Sequence, residues 1–362
     1  MRRISKKLIL IILGLFCVAL YCEWLIYYVV IAQCSWLRLE KVDNQNVLKA
    51  FILADPHLLG PFRGHWLDKW RREWQMHQAF QAILNVHKPN VVFVLGDLFD
   101  EGEWTDNKQF NNYVERFYRL FTVPKDIKMH VVVGNHDIGF HNRMRRGAHA
   151  RFNKLMNSSS VQHLTLKNNH FVLINSMAFE GDSCNMCTEA RKHISSISDN
   201  LNKCEFDSQY CHTNGVYYNY SKPILMQHFP LYRLSDSVCT EPDAPPLPER
   251  NKRFRLKIDA LSREATDYLV SKIRPRAAFG GHTHHGCLVR HSIKTVEFLE
   301  YSVPSFSWRN RPDPKFMLVS ISPDDYAVSK CGLPKESTIC LTALILSFTV
   351  IVCVWRMKTI GR

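Results

Sequence analysis

Five short clusters of aspartate, asparagine and histidine occur along this 362-residue chain, and each directly follows a short apolar run. They are Asp55-Pro56-His57, Gly96-Asp97, Gly134-Asn135-His136-Asp137, His228-Phe229-Pro230 and Gly280-Gly281-His282-Thr283-His284. Their side chains offer oxygen and nitrogen donors and no thiolate, a set that suits Mn, Fe or Zn and disfavours a structural zinc–thiolate site. There are enough donors for two cations, and two cations about 3.5–4 Å apart can clamp both reacting oxygens of a phosphoryl group. The clusters therefore predict a dinuclear site for phosphoryl chemistry.

The apolar runs have the length of strands buried on both faces. They span residues Ala50–Ala54, Val91–Leu95, His130–Val133, Phe171–Ile174, Ile224–Gln227 and Ala277–Phe279. After the first run, apolar residues at near-helical spacing predict a helix from Leu67 to Val86. Alternating strands and helices are typical of layered α/β proteins, in which ligands bind outside the carboxyl ends of the strands. We therefore expect the five clusters to converge there.

The order of the clusters resembles the motifs of the calcineurin-like metallophosphoesterase superfamily over residues 49–310. The extended motifs at 96–102, 134–139 and 228–233 are similar to those of a membrane-bound branch that removes ethanolamine phosphate from glycosylphosphatidylinositol (GPI) anchors. The resemblance implies an α/β fold built as a four-layer α/β/β/α sandwich. It also implies two divalent metal ions, usually Mn²⁺ in this branch, with Fe or Zn as alternatives.

The same resemblance implies a role for each donor, and it implies no cofactor-binding residue beyond the metal ligands. The implied metal ligands are Asp55, His57, Asp97, Asn135, His228, His282 and His284. The first ion would be held by Asp55, His57, Asp97 and His284, and the second by Asp97, Asn135, His228 and His282. Asp97 would then bridge the two ions, and His136 would be the catalytic residue that faces the substrate. Asp100 and Asp137 adjoin ligands, so they are expected either to orient histidines or to act directly, whereas His285 is expected to point elsewhere.

Two apolar segments at the ends of the chain predict a membrane protein. Residues 8–32 are apolar except for Glu23, and residues 338–355 form an uncharged run of about 27 Å if helical, close to the thickness of a bilayer core. The tails 1–7 and 356–362 are basic and are expected in the cytoplasm, so residues 33–337 would form a lumenal domain. A cleaved signal peptide remains an alternative for the first segment. Glu23 would either pair within the membrane or lie near its surface.

The net charge of +14 does not indicate nucleic-acid binding, because half of it lies in those two tails. Of the 12 cysteines, eight lie outside the apolar segments, as expected for a chain that forms disulfides in an oxidising compartment. Four of these, between Cys184 and Cys211, predict a disulfide-tied surface insertion of unassigned pairing, and their spacing disfavours a zinc ribbon. Asn157 and Asn219 lie in N-glycosylation acceptor patterns.

The resemblance implies a phosphodiesterase that trims the GPI anchor and so supports export of GPI-anchored proteins from the endoplasmic reticulum. Its substrates would be GPI-anchored proteins, cargo receptors would be possible partners, and it would reside between the exit sites of the endoplasmic reticulum and the cis-Golgi. Two alternatives stay open from the residues. One is a lumenal metallophosphatase for nucleotides, lipid pyrophosphates or phosphoproteins. The other is a non-catalytic trafficking adaptor, which would be expected to have lost ligands.

Overall fold

The computed structural model describes residues 2–357 except 41, 44, 142, 143, 145, 182, 183, 208–210, 214 and 215. The ends of the two predicted tails, residue 1 and residues 358–362, thus lie outside the described residues. The helices are α1 (Arg2–Leu20), α2 (Ile26–Ile31), α3 (Trp66–His87), α4 (Asn107–Leu120), α5 (Asn135–Ile138), α6 (Arg146–Met156), α7 (Asn185–Phe206), α8 (Leu247–Arg250), α9 (Arg263–Ile273) and α10 (Glu336–Arg356). The strands are β1 (Leu48–Leu53), β2 (Val91–Leu95), β3 (Lys128–Val132), β4 (Val161–Leu166), β5 (Asn169–Ile174), β6 (His212–Thr213), β7 (Val216–Tyr217), β8 (Ile224–Met226), β9 (Ala277–Gly280), β10 (Cys287–Ile293), β11 (Val296–Ser302), β12 (Lys315–Ile321) and β13 (Tyr326–Gly332).

Among the described residues, these strands form two main sheets and a hairpin of β6 and β7. The first sheet has the order β13-β12-β1-β2-β3, and the second has the order β10-β11-β9-β8-β5-β4. Neighbours β1, β2 and β3 run parallel, as do β5, β8, β9 and β11. The carboxyl ends of β1, β2 and β3 therefore lie along one edge of the first sheet, and those of β8 and β9 along one edge of the second.

The two sheets share one apolar interior. On β1, Ala50 and Ile52 belong to a cluster that contains Phe171 and Met226 of the second sheet. Alternate residues point the other way, and Phe51 packs against Phe80 of α3 with 5.5 Å between ring centroids. Since each central strand is covered on both faces, its sequence is almost continuously apolar. The expected four-layer α/β/β/α arrangement is confirmed.

The six predicted strands are found within two residues of their expected ends, and the predicted helix at 67–86 is α3. Strands β4 and β10 to β13, which complete the two sheets around the predicted strands, were not predicted from the sequence. In β10, buried residues are separated by exposed or half-exposed ones. In β13, half-exposed residues predominate. Such strands carry polar residues on their solvent side, so they do not form the continuous apolar runs on which the predictions depended.

Two terminal helical segments, Lys6–Ile31 and Glu336–Arg356, are long and apolar enough to cross a membrane. The first consists of α1, a π-helical turn at Tyr21–Leu25 and α2. The two segments run side by side, and the Lys7 ammonium donates to the Trp355 carbonyl at 3.1 Å, so the basic ends of the two helices lie together. A side chain at Gly14 would collide with Val350, which explains a glycine at this close approach.

Among the described residues, the eight cysteines outside these helices are paired. The disulfides are Cys34–Cys331, Cys184–Cys187, Cys204–Cys211 and Cys239–Cys287. The bonds Cys184–Cys187 and Cys204–Cys211 close short loops in the segment where the sequence predicted a disulfide-tied insertion. Cys239–Cys287 joins the loop after β8 to the first residue of β10, directly after the His282–His284 cluster. It therefore holds two of the segments that carry predicted metal ligands to one another.

Candidate metal centre

The predicted ligands meet where β1, β2, β8 and β9 end and α5 begins. Nε2 of His57 lies 3.1 Å from Nε2 of His284 and 3.5 Å from Oδ2 of Asp97. The same Asp97 oxygen lies 3.3 Å from Nε2 of His228, which is 3.1 Å from Oδ1 of Asn135. Asp97 is thus placed between the two halves of the cluster, as expected of a bridging ligand.

Three-residue groups with ligand atoms within 4.8 Å of one another occur on both sides of Asp97. They are Asp55 with His57 and His284, Asp97 with His228 and His282, and His57 with Asp97 and His136. The first two groups divide the donors as the resemblance implied. The structure brings together all seven predicted ligands and also His136.

The backbone at this cluster adopts conformations that are costly for residues with side chains. Positive φ angles between 46° and 72° occur at Asp55, His57, Asp97, His282 and His284. Non-glycine residues seldom adopt such angles, and they concentrate at functional sites. A Cβ atom at Gly134 would collide with the backbone N and Oδ1 of Asp97, so only glycine fits there. These strained backbone conformations direct the donor side chains toward one another.

Hydrogen bonds outside the cluster fix which nitrogen of each imidazole faces inward. A carbonyl or carboxylate oxygen only accepts, so the ring nitrogen bonded to it carries the proton and the other nitrogen keeps a lone pair. The contacts are His57 Nδ1 to Asp100 Oδ1 at 3.2 Å, His228 Nδ1 to the Leu95 carbonyl at 2.8 Å, and His282 Nε2 to the Ile258 carbonyl at 2.8 Å. Three histidines are therefore held as metal ligands usually are.

The carboxylates of the cluster are buried side by side. Burial and the neighbouring Asp97 raise the pKa of Asp55 to about 8, although His228 opposes this effect. Although burial favours the neutral acid, His228 and His136 hold the pKa of Asp97 well below its usual range. Two buried acids whose charges repel each other need positive charge between them, either protons or metal ions. The donor set thus fits a pair of divalent cations.

The histidines fall into two electrostatic classes. Burial lowers the pKa values of His57 and His284, and it lowers that of His282 to about 3, so these rings are neutral as metal ligands must be. His228 and His136 differ, because the attraction of Asp97 outweighs burial and raises their pKa values. The His136 side chain is 32% exposed, and its Nδ1 lies 3.1 Å from the Asp100 carbonyl. His136 therefore combines a raised pKa, a fixed ring and access to solvent.

The neighbouring residues singled out in the sequence hold supporting positions. Asp100 orients His57, as one of the two predictions for it stated. Asp137 instead accepts hydrogen bonds from the backbone N–H groups of Phe99 and Gly134, at 3.0 and 2.8 Å. It fixes the loops that carry ligands and, among the residues that the structure describes, is hydrogen-bonded to these backbone groups rather than to a histidine. His285 is in none of the metal-binding groups among the described residues.

Sequence reasoning missed several residues that follow β11. The Arg309 guanidinium lies 3.3 Å from Oδ2 of Asp100, and the Ser305 hydroxyl donates to the Asp55 carbonyl at 2.8 Å. Polar residues that follow a strand were the signal that located the other site residues. That signal could not be used here, because β11 itself was not predicted. A cavity of about 200 Å³ also opens beside His282. Lys252, Arg253 and Arg255 line it, so a charged or hydroxylated substituent has room next to the metal ligands.

Comparison with known proteins identifies the family. A model of the calcineurin-like phosphoesterase family matches residues 48–286. The chain belongs to the calcineurin-like phosphoesterases. As a member of this family it is a metal-dependent phosphoesterase, and its two donor groups on either side of Asp97 support two divalent ions. The family predicted from the five motifs is thereby confirmed.

Relatives of this calcineurin-like phosphoesterase match nearly its whole length. It is 48% identical to the Metallophosphoesterase 1 homolog of Drosophila melanogaster over 324 residues, 88% of this chain and 85% of that protein. It is 42% identical to Metallophosphoesterase 1 of Danio rerio over 357 residues, 97% of this chain and 92% of that protein. Among solved structures, purple acid phosphatase PPD1 from yellow lupin seeds has a similar fold, with a TM-score of 0.52 at 10% identity over 81% of this chain and 55% of that one.

Proposed function

We propose that this phosphoesterase is a membrane-anchored phosphodiesterase that removes ethanolamine phosphate from a mannose of the GPI anchor on proteins. The observation that carries the proposal is a two-metal donor set in a domain attached to two helical segments that are long and apolar enough to span a membrane. Such an arrangement suits a phosphodiester that is itself held at a membrane. The extended motifs, which resemble those of the GPI-remodelling branch, narrow the substrate from any phosphate ester to this one.

Seven residues of the site would bind the metal ions, and an eighth would donate a proton. Asp55, His57 and His284 would hold one ion, Asn135, His228 and His282 the other, and Asp97 both. When bound, two divalent ions neutralise phosphate oxygens and lower the pKa of water, and Mn²⁺ is our choice because the donors are oxygen and imidazole nitrogen. We assign His136 as the acid that protonates the departing mannose oxygen, since its ring is held at Nδ1 and its side chain is accessible.

Three features support a lumenal domain in the early secretory pathway. The basic ends of the two apolar helices lie together, which supports a position of both tails on one side of the membrane, and basic flanks favour the cytoplasmic side. The domain on the other side contains the paired cysteines, as expected in an oxidising compartment. GPI-anchored proteins would be the substrates there, and their cargo receptors possible partners. The adaptor alternative is disfavoured because every ligand position is filled and the donors converge.

The proposal is tested by mass spectrometry of GPI anchors from cells that lack this chain. Those anchors are expected to keep ethanolamine phosphate that wild-type cells remove. Wild-type chain and the surface variant Asp324→Ala should restore trimming, whereas Asp97→Ala and Asn135→Ala should not, although both reach the membrane in normal amounts. Unchanged anchors in the deficient cells would exclude GPI as the substrate. Rescue by Asp97→Ala would favour the adaptor.

A further inference from the structure

The first half of α3 exposes large apolar side chains to the surroundings. Trp66, Trp70 and Trp74 follow one another at intervals of four residues and are 69%, 59% and 36% exposed. Residues at this spacing lie on one face of a helix. Leu67 on the same helix and Phe62 just before it are also exposed. We call these five residues the aromatic face. In a soluble protein such a patch would be covered by a partner.

The aromatic face adjoins the membrane-spanning helices, because α3 is bonded to both of them. Glu23 of the first helix accepts hydrogen bonds from Arg71 and from the Trp74 indole. Glu336, at the start of α10, accepts from Arg72 at 2.7 Å. The two bonds of Glu23 thus join the first helix to the folded domain. Helix α3 therefore lies across the ends of both spans.

Helix lengths place this junction at the surface of the bilayer. From Lys7 to Glu23 the helix rises about 24 Å, and from Trp355 to Glu336 about 28 Å, at 1.5 Å per residue. The hydrocarbon core is roughly 30 Å thick, so spans that start at Lys7 and Trp355 leave it about one helical turn beyond Glu23 and close to Glu336. Beyond that level, Tyr27 and Ile31 are fully buried against the domain. The aromatic face is thus held at head-group depth, where tryptophan is enriched.

The aromatic face is also connected to the metal centre. The residue after Phe62 is Arg63, whose carbonyl accepts a hydrogen bond from Arg309 at 3.2 Å. Arg309 contacts Asp100, which orients the metal ligand His57. A short chain of contacts therefore links the face to the rim of the site, and the position of the face relative to the bilayer determines where the site meets its substrate.

We propose that the aromatic face is seated in the lumenal interface of the bilayer and presents the metal centre to phosphate esters carried by membrane lipids. The occupant is the lipid surface itself, since the face continues directly from the spanning helices. The inference deepens the proposed function and rests on its membrane anchoring. It also explains why the apolar side of this part of α3 faces outward, while further along the helix Phe80 and Ile83 face the core.

Seating is tested on the full-length chain in nanodiscs of phosphatidylcholine, with brominated acyl chains as the fluorescence quencher. Trp66→Phe/Trp70→Phe keeps the face apolar and removes two of the eight tryptophans. If both lie in the interface, the fraction of tryptophan fluorescence lost to bromine should be lower in this variant than in wild type. The matched control Trp36→Phe removes a tryptophan bonded to the His87 carbonyl, at the other end of α3, and should not lower that fraction. Equal quenching in the double variant and the control would overturn the proposal.

Presentation of the substrate is tested with Trp66→Ser/Trp70→Ser. Hydrolysis of an ethanolamine-phosphate glycolipid in vesicles should fall by about tenfold or more, because the apolar anchor is lost, and hydrolysis of soluble bis(p-nitrophenyl) phosphate should stay within about twofold. Phe206→Ser, at a highly exposed position of α7, should change neither rate. Equal loss on both substrates would show that the face is structural and would overturn the proposal. If wild type cleaves the soluble diester but not the glycolipid, the proposed function fails and the quenching result alone decides this inference.

Discussion

Buried and half-buried histidines occur in two parts of the fold, and their surroundings differ. At the carboxyl ends of β1, β8 and β9 they lie among carboxylates, as where Asp97 approaches His57 and His228. Within β4 and β5, His163 and His170 contact each other at 3.1 Å, and His130 of β3 stacks on Phe93. Among the described residues, the groups that could hold a metal include the first set and not these three. We call His130, His163 and His170 the edge histidines.

The comparison shows that burial alone does not make a histidine functional. Burial lowers the pKa of each edge histidine to about 4, helped by Lys128 for His130 and by Arg276 for His170. At the metal centre, burial also lowers the pKa values of His57, His282 and His284. At His228, however, the neighbouring carboxylates outweigh burial and raise the pKa to about 9. The edge histidines lie within strands, whereas the ligands follow strand ends, where side chains from different strands can converge.

The largest effect expected among the residues that do not bind metal is at His136. In His136→Gln, hydrolysis of a diester with an alkyl leaving group should fall by about 10²–10⁴-fold, because no group protonates the departing oxygen. With p-nitrophenolate as the leaving group, which needs no proton, the loss should be much smaller. Steady-state rates on the two substrates test this. The edge variant His163→Gln should keep wild-type rates on both, and an equal loss on both substrates in His136→Gln would refute the assignment.

Much of the site was predictable because its signal is local. Asp55, Asp97 and His282 each follow a strand that is apolar on both faces, and this pattern is visible in single segments of sequence. The contacts of Arg309 with Asp100 and of Arg71 with Glu23 were not predictable, since they join segments far apart in the chain. Strands β10, β11 and β13 were missed for another reason, namely that half-exposed strands lack continuous apolar runs. This reason does not apply to β12, which is mostly buried. The local chemistry could therefore be read from sequence, but the position of the domain at the membrane could not.

A smaller effect is expected from a single methyl group behind Asp97, the proposed bridging ligand. In Gly134→Ala, the new Cβ would collide with Asp97, so the carboxylate must move away from the position between the two halves of the site. Displacements of about 1 Å at an active site can lower activity by about 100-fold. Gly147→Ala in α6 is the matched control, because a Cβ there meets no atom within 4 Å. Activity of Gly134→Ala close to that of this control would show that Asp97 does not need its observed position.

Loss of the Asp100 contact that orients His57 should weaken metal binding more than it destabilises the fold. Asp100→Asn keeps an oxygen near Nδ1 of His57 but removes the charge that fixes its tautomer. Losses of such supporting partners typically weaken metal binding by about 10–100-fold. Titration calorimetry of the metal-stripped full-length protein with Mn²⁺ measures this, with the exposed Asp324→Asn as control. Unchanged affinity in Asp100→Asn would mean that the backbone alone orients the ring.

The smallest effect is expected at the edge histidines, and it should appear in stability rather than in activity. Their folded pKa of about 4 lies below the value of 6.5 for an unperturbed histidine. Between these two values the unfolded chain binds protons that the folded chain refuses, so stability present above pH 6.5 is lost as the pH falls towards 4. The melting temperature should therefore decrease from pH 7 to pH 5, and His163→Gln/His170→Gln should reduce that decrease by roughly 2–6 °C. His193→Gln, an exposed position on α7, should leave the pH dependence as in wild type. If the double variant also follows the wild-type curve, the edge histidines are protonated in the folded protein and the contrast with the metal centre is not one of charge.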